Sequence, residues 1–292
     1  MTTADELTHT KFLTCIIGSP RRAMLVRCYS QTGIRYSGRK RLWDLLRPAL
    51  KGMINLKIVA FQSTEVSSST GFHGEYPFLL EGLDFSGPYE SDDHTLLEFL
   101  QLQSKLKQLD VEWGEEDKAL ILPSTCPNLD LLRGNRGAIE AFLPGRRITS
   151  LAWIPHPLDS HNDIDHLSRS FRNIKVLSFG GIELFERPDL NVIINHLQSV
   201  EILKLFDPSQ EELYLLSRIP NLRILLMKCQ FTRRHYPSPP FENLPNVIQC
   251  LFSTCRSLEC IESSCDRFNY ERWVRGRHSP QATLRTYKGE YP

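Results

Sequence analysis

One pattern limits what this chain can become. Residues 148–153, 174–179 and 200–205 are short runs with an apolar residue at the start, at +3 and at +5. A fourth run follows at Leu222, Leu225 and Met227. The four starts lie 26, 26 and 22 residues apart. A helix-like stretch precedes each later run, at 164–171, 190–196 and 212–219. A strand and a helix recurring at a period in the twenties is the signature of a leucine-rich-repeat solenoid.

The same template extends in both directions. Earlier starts fall at Val26, Leu56, Leu80, Leu106 and Leu129, and a later one at Leu258. All ten are apolar at 0 and +3, while Gln31, Gly134 and Ser263 break the pattern at +5. The expected fold is α/β, an irregular leucine-rich-repeat solenoid of about ten repeats with a parallel inner sheet and outer helices. It spans residues 1–265, interrupted by a Pro-rich insertion at 232–245, and residues 266–292 form a C-terminal cap or tail. Trp273, among Arg272, Arg275 and Arg277, reads as the side chain that covers the last repeat. Helix starts are signalled by Asp189 and by the capping-box pair Ser209 and Glu212.

Side chains alternate across a strand, so +3 and +5 face the core and +2, +4 and +6 face the open side. In the middle repeats those open positions hold Ile154, Val176, Ile202, Phe206, Ile224 and Leu226, interrupted by Lys204 and Lys228. A contiguous apolar patch of this kind marks an interface. Phe206, large, aromatic and flanked by Lys204 and Asp207, is the expected exposed anchor for a protein partner.

Charge adds a second constraint. The net charge is +1, so bulk attraction to nucleic acid or an anionic membrane is not expected. The balance hides segregation, because residues 1–57 are strongly basic and 58–120 strongly acidic. Asp84, Asp110 and Glu112 fall at open positions of the acidic repeats and favour a partner with a basic portion. No apolar run reaches the roughly 18–20 residues of a membrane span. Residues 1–11 lack the apolar stretch of a signal peptide, and the eight cysteines form no dense framework, which points to cytosol or nucleus.

The search for chemistry turns up few candidates. Cys250, Cys255, Cys260 and Cys265 sit five apart, a spacing unlike that of structural zinc ligands. His156, His161 and His166 alternate with Asp159, Asp163 and Asp165. The alternative reading is therefore a metal-dependent hydrolase using His156, His161 and Asp163. No H-E-x-x-H string accompanies them, and a polar loop leading into a helix accounts for the same residues. The phosphate-loop, dinucleotide and nucleophile-elbow strings are absent, so neither a cofactor nor a catalytic residue is expected. RNA binding through the basic ends is a further, weaker alternative.

Three stretches carry a family resemblance. They are FLTCIIGSPRRAMLVRCY at 12–29, LLEFLQLQSKLKQLDV at 96–111 and LPSTCPNLDLLRGNRGAIEAFLPGRRITSLAW at 122–153. Together they resemble the leucine-rich region of fungal F-box-type proteins. That resemblance implies a substrate-recognition role in an SCF-type ubiquitin ligase, with a protein partner on the inner face. Residues 1–11 are too short for an F-box, so a ligase adaptor is expected only if an F-box lies outside this chain. The repeats' usual asparagine is missing at +8, where His156, Ile182, Pro208 and Gln230 stand, so regular horseshoe curvature is not expected.

Overall fold

In the computed structural model, residues 6–34, 40–63, 72, 74–86, 95–114, 121–155, 164–180, 189–228, 244–264, 269–277 and 281–284 are described. The chain forms two compact units, Met1–Arg147 and Ile148–Pro292.

The first unit opens with helices α1 (Glu6–Ile17) and α2 (Pro20–Ala23), followed by strand β1 (Cys28–Ile34). On α1 the buried positions are His9, Leu13 and Ile16, a stripe at helical spacing. Helix α3 (Lys40–Gly52) leads to β2 (Ile58–Ser63), and β3 (Gly82–Ser86) follows. Next come α4 (Thr95–Gln101), β4 (Gln108–Val111), β5 (Leu131–Gly134) and α5 (Arg136–Phe142). The five strands pair in chain order and are all parallel. Behind β2 and β3 an aromatic cluster fills the core. The Phe72 ring lies 4.8 Å from Phe99 and 5.7 Å from both Phe61 and Phe85.

The second unit begins with β6 (Ser150–Trp153), a 3-10 turn with α6 (Ser168–Phe171), and β7 (Val176–Phe179). It continues through β8 (Ile202–Phe206), α7 (Gln210–Leu215), β9 (Ile224–Lys228), α8 (Leu244–Thr254) and β10 (Cys260–Ser264). Strands β6 to β10 are parallel and in chain order. Then the direction reverses: β11 (Asn269–Val274) and β12 (Gln281–Leu284) add antiparallel. The architecture is thus mixed α/β with open, mostly parallel sheets. Trp273 pairs with Ile261 across β10 and β11 and is buried.

The alternation read from the sequence sets the register. At +3, every side chain from Tyr29 to Ile261 is at most 4 % exposed. At the start positions only Val26 is partly open. The three exceptions at +5 are buried as well, each for its own reason. Gln31 is fully buried and accepts the Tyr29 hydroxyl at 2.6 Å. Ser263 sits inside β10. Gly134 is required by close approach: a Cβ there would strike the Val111 carbonyl oxygen on β4 and Ala138 on α5.

The connections expected as helices are part 3-10: 164–171 holds a 3-10 turn and one α turn, and α7 ends in a 3-10 turn at Leu216–Arg218. Residues 190–196, expected as helix, form two separate 3-10 turns. Their stripe of Leu190, Ile193, Ile194 and Leu197 is nonetheless fully buried. The two expected caps are formed. Asp189 accepts from the Asn191 N–H, and Ser209 and Glu212 make a reciprocal capping box.

Three asparagines tie the turn before one strand to the turn before the preceding strand, and the template gave no hint of them. Each stands immediately before a repeat start. Asn55 donates to the Met24 carbonyl, Asn128 to Ser104 and Asn221 to Gln198, at 2.7–2.8 Å. Each bond reaches a carbonyl in the turn just before the preceding strand, a place where helix and 3-10 ends leave carbonyls without an intrahelical partner. The motif was visible as Asn-Leu or Asn-Ile at 55–56, 128–129, 173–174 and 221–222.

A further row lies one residue after the starts. It reads Arg27, Lys57, Glu81, Lys107 and Asp130 in the first unit, and Thr149, Lys175, Glu201, Arg223 and Glu259 in the second. From Lys57 and from Lys175 onward the charges alternate. Ion pairs form at Lys57–Glu81 (2.6 Å), Lys175–Glu201 (3.0 Å) and Arg223–Glu259 (2.9 Å). The Lys57 ammonium and the Arg223 guanidinium hold the carboxyls of Glu81 and Glu259 below the usual range.

The stretch at 122–153 that carries the resemblance is tied down throughout. Cys126 donates its thiol to the Leu100 carbonyl at 3.3 Å. Arg146, 5 % exposed, donates to the carbonyls of Leu122, Thr125 and Phe142 at 2.7–2.9 Å and lies over the Phe142 ring. One guanidinium thereby closes the loop before β5 onto the end of α5.

Candidate protein-binding faces

In the second unit the open side of the sheet carries rows of side chains set by strand register. Val176, Ile202 and Ile224 stand side by side on β7, β8 and β9, all partly exposed. Two residues further along each strand lie Ser178, Lys204 and Leu226. Ile154, just past β6, is also partly exposed. The expected open face is thus brought together, and its core-facing partners Leu177, Leu203 and Leu225 are fully buried.

Phe206 departs from expectation. It is 6 % exposed rather than an open anchor. The Lys204 ammonium lies 4.9 Å from its ring centroid, and Lys228, its register partner on β9, lies 5.8 Å away. Lysine stems cover apolar surface while their charges stay in water, and an ammonium is attracted to the ring face. The sequence placed one lysine beside Phe206, but the second arrives only through the pairing of β8 with β9. Asp207 turns away at φ 51° and donates its N–H to the Lys228 carbonyl.

Beyond β9 the row of Lys204 and Leu226 continues into Glu262 on β10 and Arg272 on β11. Glu262 is buried, and the half-exposed Arg272 guanidinium is 3.8 Å from its carboxylate.

The first unit's open side is acidic. Asp84 on β3 and Asp110 on β4 are register partners, and Arg133 on β5 is next in the row. Arg133 is 3.2 Å from the Asp110 carboxylate. Burial raises the Asp110 carboxyl to about 7; Arg133 opposes this, while Asp84 and Glu112 reinforce it. Burial also raises Asp84, again against Arg133. Glu112, just past β4, is exposed. The three acids named from sequence therefore share one face, and they share it with Arg133.

Asn135 is the residue that sequence reasoning missed here. Its side-chain oxygen accepts from the Trp113 N–H, and its amide donates to the Trp113 carbonyl, both at 2.9 Å. That side chain thus pairs with the chain after β4 as a further strand residue would. The same oxygen caps α5 by accepting from the Ala138 N–H. Gly137 makes room, since a Cβ there would strike the Trp113 carbonyl oxygen.

His156, His161 and Asp163 lie outside the described residues, as do Cys265 and residues 232–243 of the Pro-rich insertion. Of the same cluster, Asp165 lies 3.2 Å from His196. Among the described residues no group of three or more His, Cys, Asp or Glu is placed to hold a metal ion. Cys250 is exposed on α8, whereas Cys255 and Cys260 are buried. Among the described residues no helix is long and apolar enough to cross a membrane. A scan against models of known protein families finds no match, and a search of curated protein sequences finds none either.

Proposed function

We propose that this chain is a leucine-rich-repeat solenoid and a non-catalytic protein-binding module whose partner docks on the open sheet face of residues 148–292. One observation supports it above the others. Three successive strands align Val176, Ile202 and Ile224, with Leu226 beside them, in a row left partly open to solvent. Affinity at protein interfaces concentrates in a few such apolar anchors. The more specific version, substrate recognition for an SCF-type ubiquitin ligase, rests on the resemblance, and an adaptor would need an F-box outside this chain. Unpaired thiols among the described residues support a reducing compartment, cytosol or nucleus.

The test is a photo-crosslinking amino acid placed at position 202 or 224, with the exposed position 214 of α7 as control, in a native extract. Partners captured from 202 and 224 but not from 214 support the reading. They must also be lost from Ile202→Ser and Ile224→Ser variants whose unfolding curves match wild type. Folded variants that retain every partner reject this face. Stoichiometric metal that disappears in a His156→Ala, His161→Ala variant would favour the hydrolase reading instead.

A further inference from the structure

We infer that the turns leading into β1, β2, β3 and β4 form a contact surface for an anionic lipid membrane, in which Met24, Leu25, Ile54, Leu79 and Leu102 enter the interface and the lysines and arginines among them meet the headgroups. The surface belongs to the first unit and shares no residue with the sheet face proposed for a protein partner.

Backbone bonds set these turns side by side. The Lys57 N–H donates to the Arg27 carbonyl at 2.8 Å, the Glu81 N–H to the Lys57 carbonyl at 2.7 Å, and the Lys107 N–H to the Glu81 carbonyl at 2.9 Å. Four turns therefore line one edge of the sheet at strand spacing, about 4.8 Å apart. Each carries a large apolar side chain open to solvent. Leu25 is 78 % exposed, and Met24, Ile54, Leu79 and Leu102 are 39–50 % exposed. The start residues beside them, Leu56, Leu80 and Leu106, are buried, so the core is filled without the open ones. The second unit provides an internal comparison. Just before its starts at Ile174, Val200, Leu222 and Leu258 stand Asn173, Ser199, Asn221 and Ser257. Strand entry of this kind is thus built equally well with polar turns, and the fold does not require the apolar ones. Among the described residues, ten of the eleven large apolar side chains that stand exposed belong to the first unit, Tyr214 being the other.

Charge identifies the occupant. Residues 17–27, 51–57, 78–81 and 102–107 carry seven lysines and arginines, all exposed, against one acid, Glu81. That acid is already bonded to Lys57 at 2.6 Å. The whole-chain charge of +1 conceals this local excess. Open apolar groups set among cations match a membrane boundary, where the acyl region takes the apolar side chains and anionic headgroups attract the cations. A protein partner or an RNA strand fits less well. Protein interfaces concentrate affinity in aromatic and arginine anchors, RNA binders stack bases on aromatic faces, and none of the five open residues is aromatic.

Co-sedimentation of the full chain with vesicles provides the test, using phosphatidylcholine alone and phosphatidylcholine with about 30 % phosphatidylserine. Wild type is compared with an apolar variant (Leu25→Ser, Ile54→Ser), a charge variant (Arg21→Gln, Arg27→Gln, Lys51→Gln) and the control Tyr214→Ser. All substituted side chains are exposed, and thermal unfolding confirms that each variant is folded. The inference expects wild type to bind the mixed vesicles and not phosphatidylcholine alone. Affinity should fall at least about tenfold in both the apolar and the charge variant and stay unchanged in the control. Fluorescence of a Leu25→Trp variant, with the wild-type signal subtracted, should shift to the blue when mixed vesicles are added. Failure to bind the mixed vesicles overturns the inference. So does an apolar variant that binds as well as wild type, an unshifted Leu25→Trp signal, or an equal loss in the control. Tighter binding to poly(U) than to mixed vesicles at equal phosphate concentration assigns the surface to nucleic acid and overturns it as well.

Discussion

Asp110→Asn should make the protein more stable above neutral pH and flatten its response to pH. The Asp110 side chain is 27 % exposed on the first unit's sheet face, with Asp84 in register on one side and Arg133 on the other. Its carboxyl is raised to about 7 in the folded chain. Unfolded, it returns to about 3.9. The folded state therefore holds a proton that the unfolded state has lost across that interval. Stability from this group is fully present below about pH 4 and is lost as pH rises through about 7. The full displacement corresponds to about 4 kcal/mol, and water around a quarter-open carboxyl reduces this to about 2 kcal/mol. Asparagine keeps the shape and never ionises, and the half-exposed Arg133 can turn to solvent. Urea unfolding followed by far-UV circular dichroism, from pH 4.5 to 8.5, measures both proteins. The expected result is a wild-type midpoint that declines toward pH 8 and a variant midpoint that declines less, with the variant ahead at pH 8. A variant less stable than wild type at pH 8 would refute the argument. It would mean that the Arg133 ion pair, not burial, governs this carboxyl.

Three other outcomes follow from the same structure. Leu177→Asp puts an unpaired charge at a fully buried position of β7 and should cost about 4 kcal/mol or more, seen as loss of the thermal transition. Asn135→Ala strands the Trp113 N–H and carbonyl and removes the α5 cap, so denaturant unfolding should show a loss of about 3 kcal/mol. Gly137→Ala sets two effects against each other. Helix propensity favours alanine by about 1 kcal/mol, but the new Cβ meets the Trp113 carbonyl, so calorimetry should show a net loss of about 1–3 kcal/mol.

What the sequence made legible was whatever depends on local period. Leu151, Leu177, Leu203 and Leu225 alternate with open positions because a strand has period two, and that survives without knowledge of its neighbours. The Ser209 cap was equally readable, since its partner Glu212 is three residues away. Pairing across strands was not. The second lysine on Phe206, the Arg133 beside Asp110 and the Asn135 bridge to Trp113 each join residues 22 to 23 apart. Such contacts depend on register, which a single strand's pattern does not state. The turns at 190–196 show the reverse limit. Their buried stripe was clear, but whether it winds as one helix or two tight turns depends on the room between strands.

The alternating row beside the repeat starts has a bearing on how such a chain can change length. Take out the repeat beginning at Val200, and Lys175 would stand next to Arg223. Take out the one beginning at Leu222, and Glu201 would stand next to Glu259. Remove both together, and Lys175 meets Glu259 with opposite charges still opposed. Like charges in that position repel where the Lys175–Glu201 and Arg223–Glu259 pairs attract. From Lys175 to Glu259 the row therefore works as a parity check. Insertions or deletions of repeats in twos pass it, and single ones leave a mismatch at the seam.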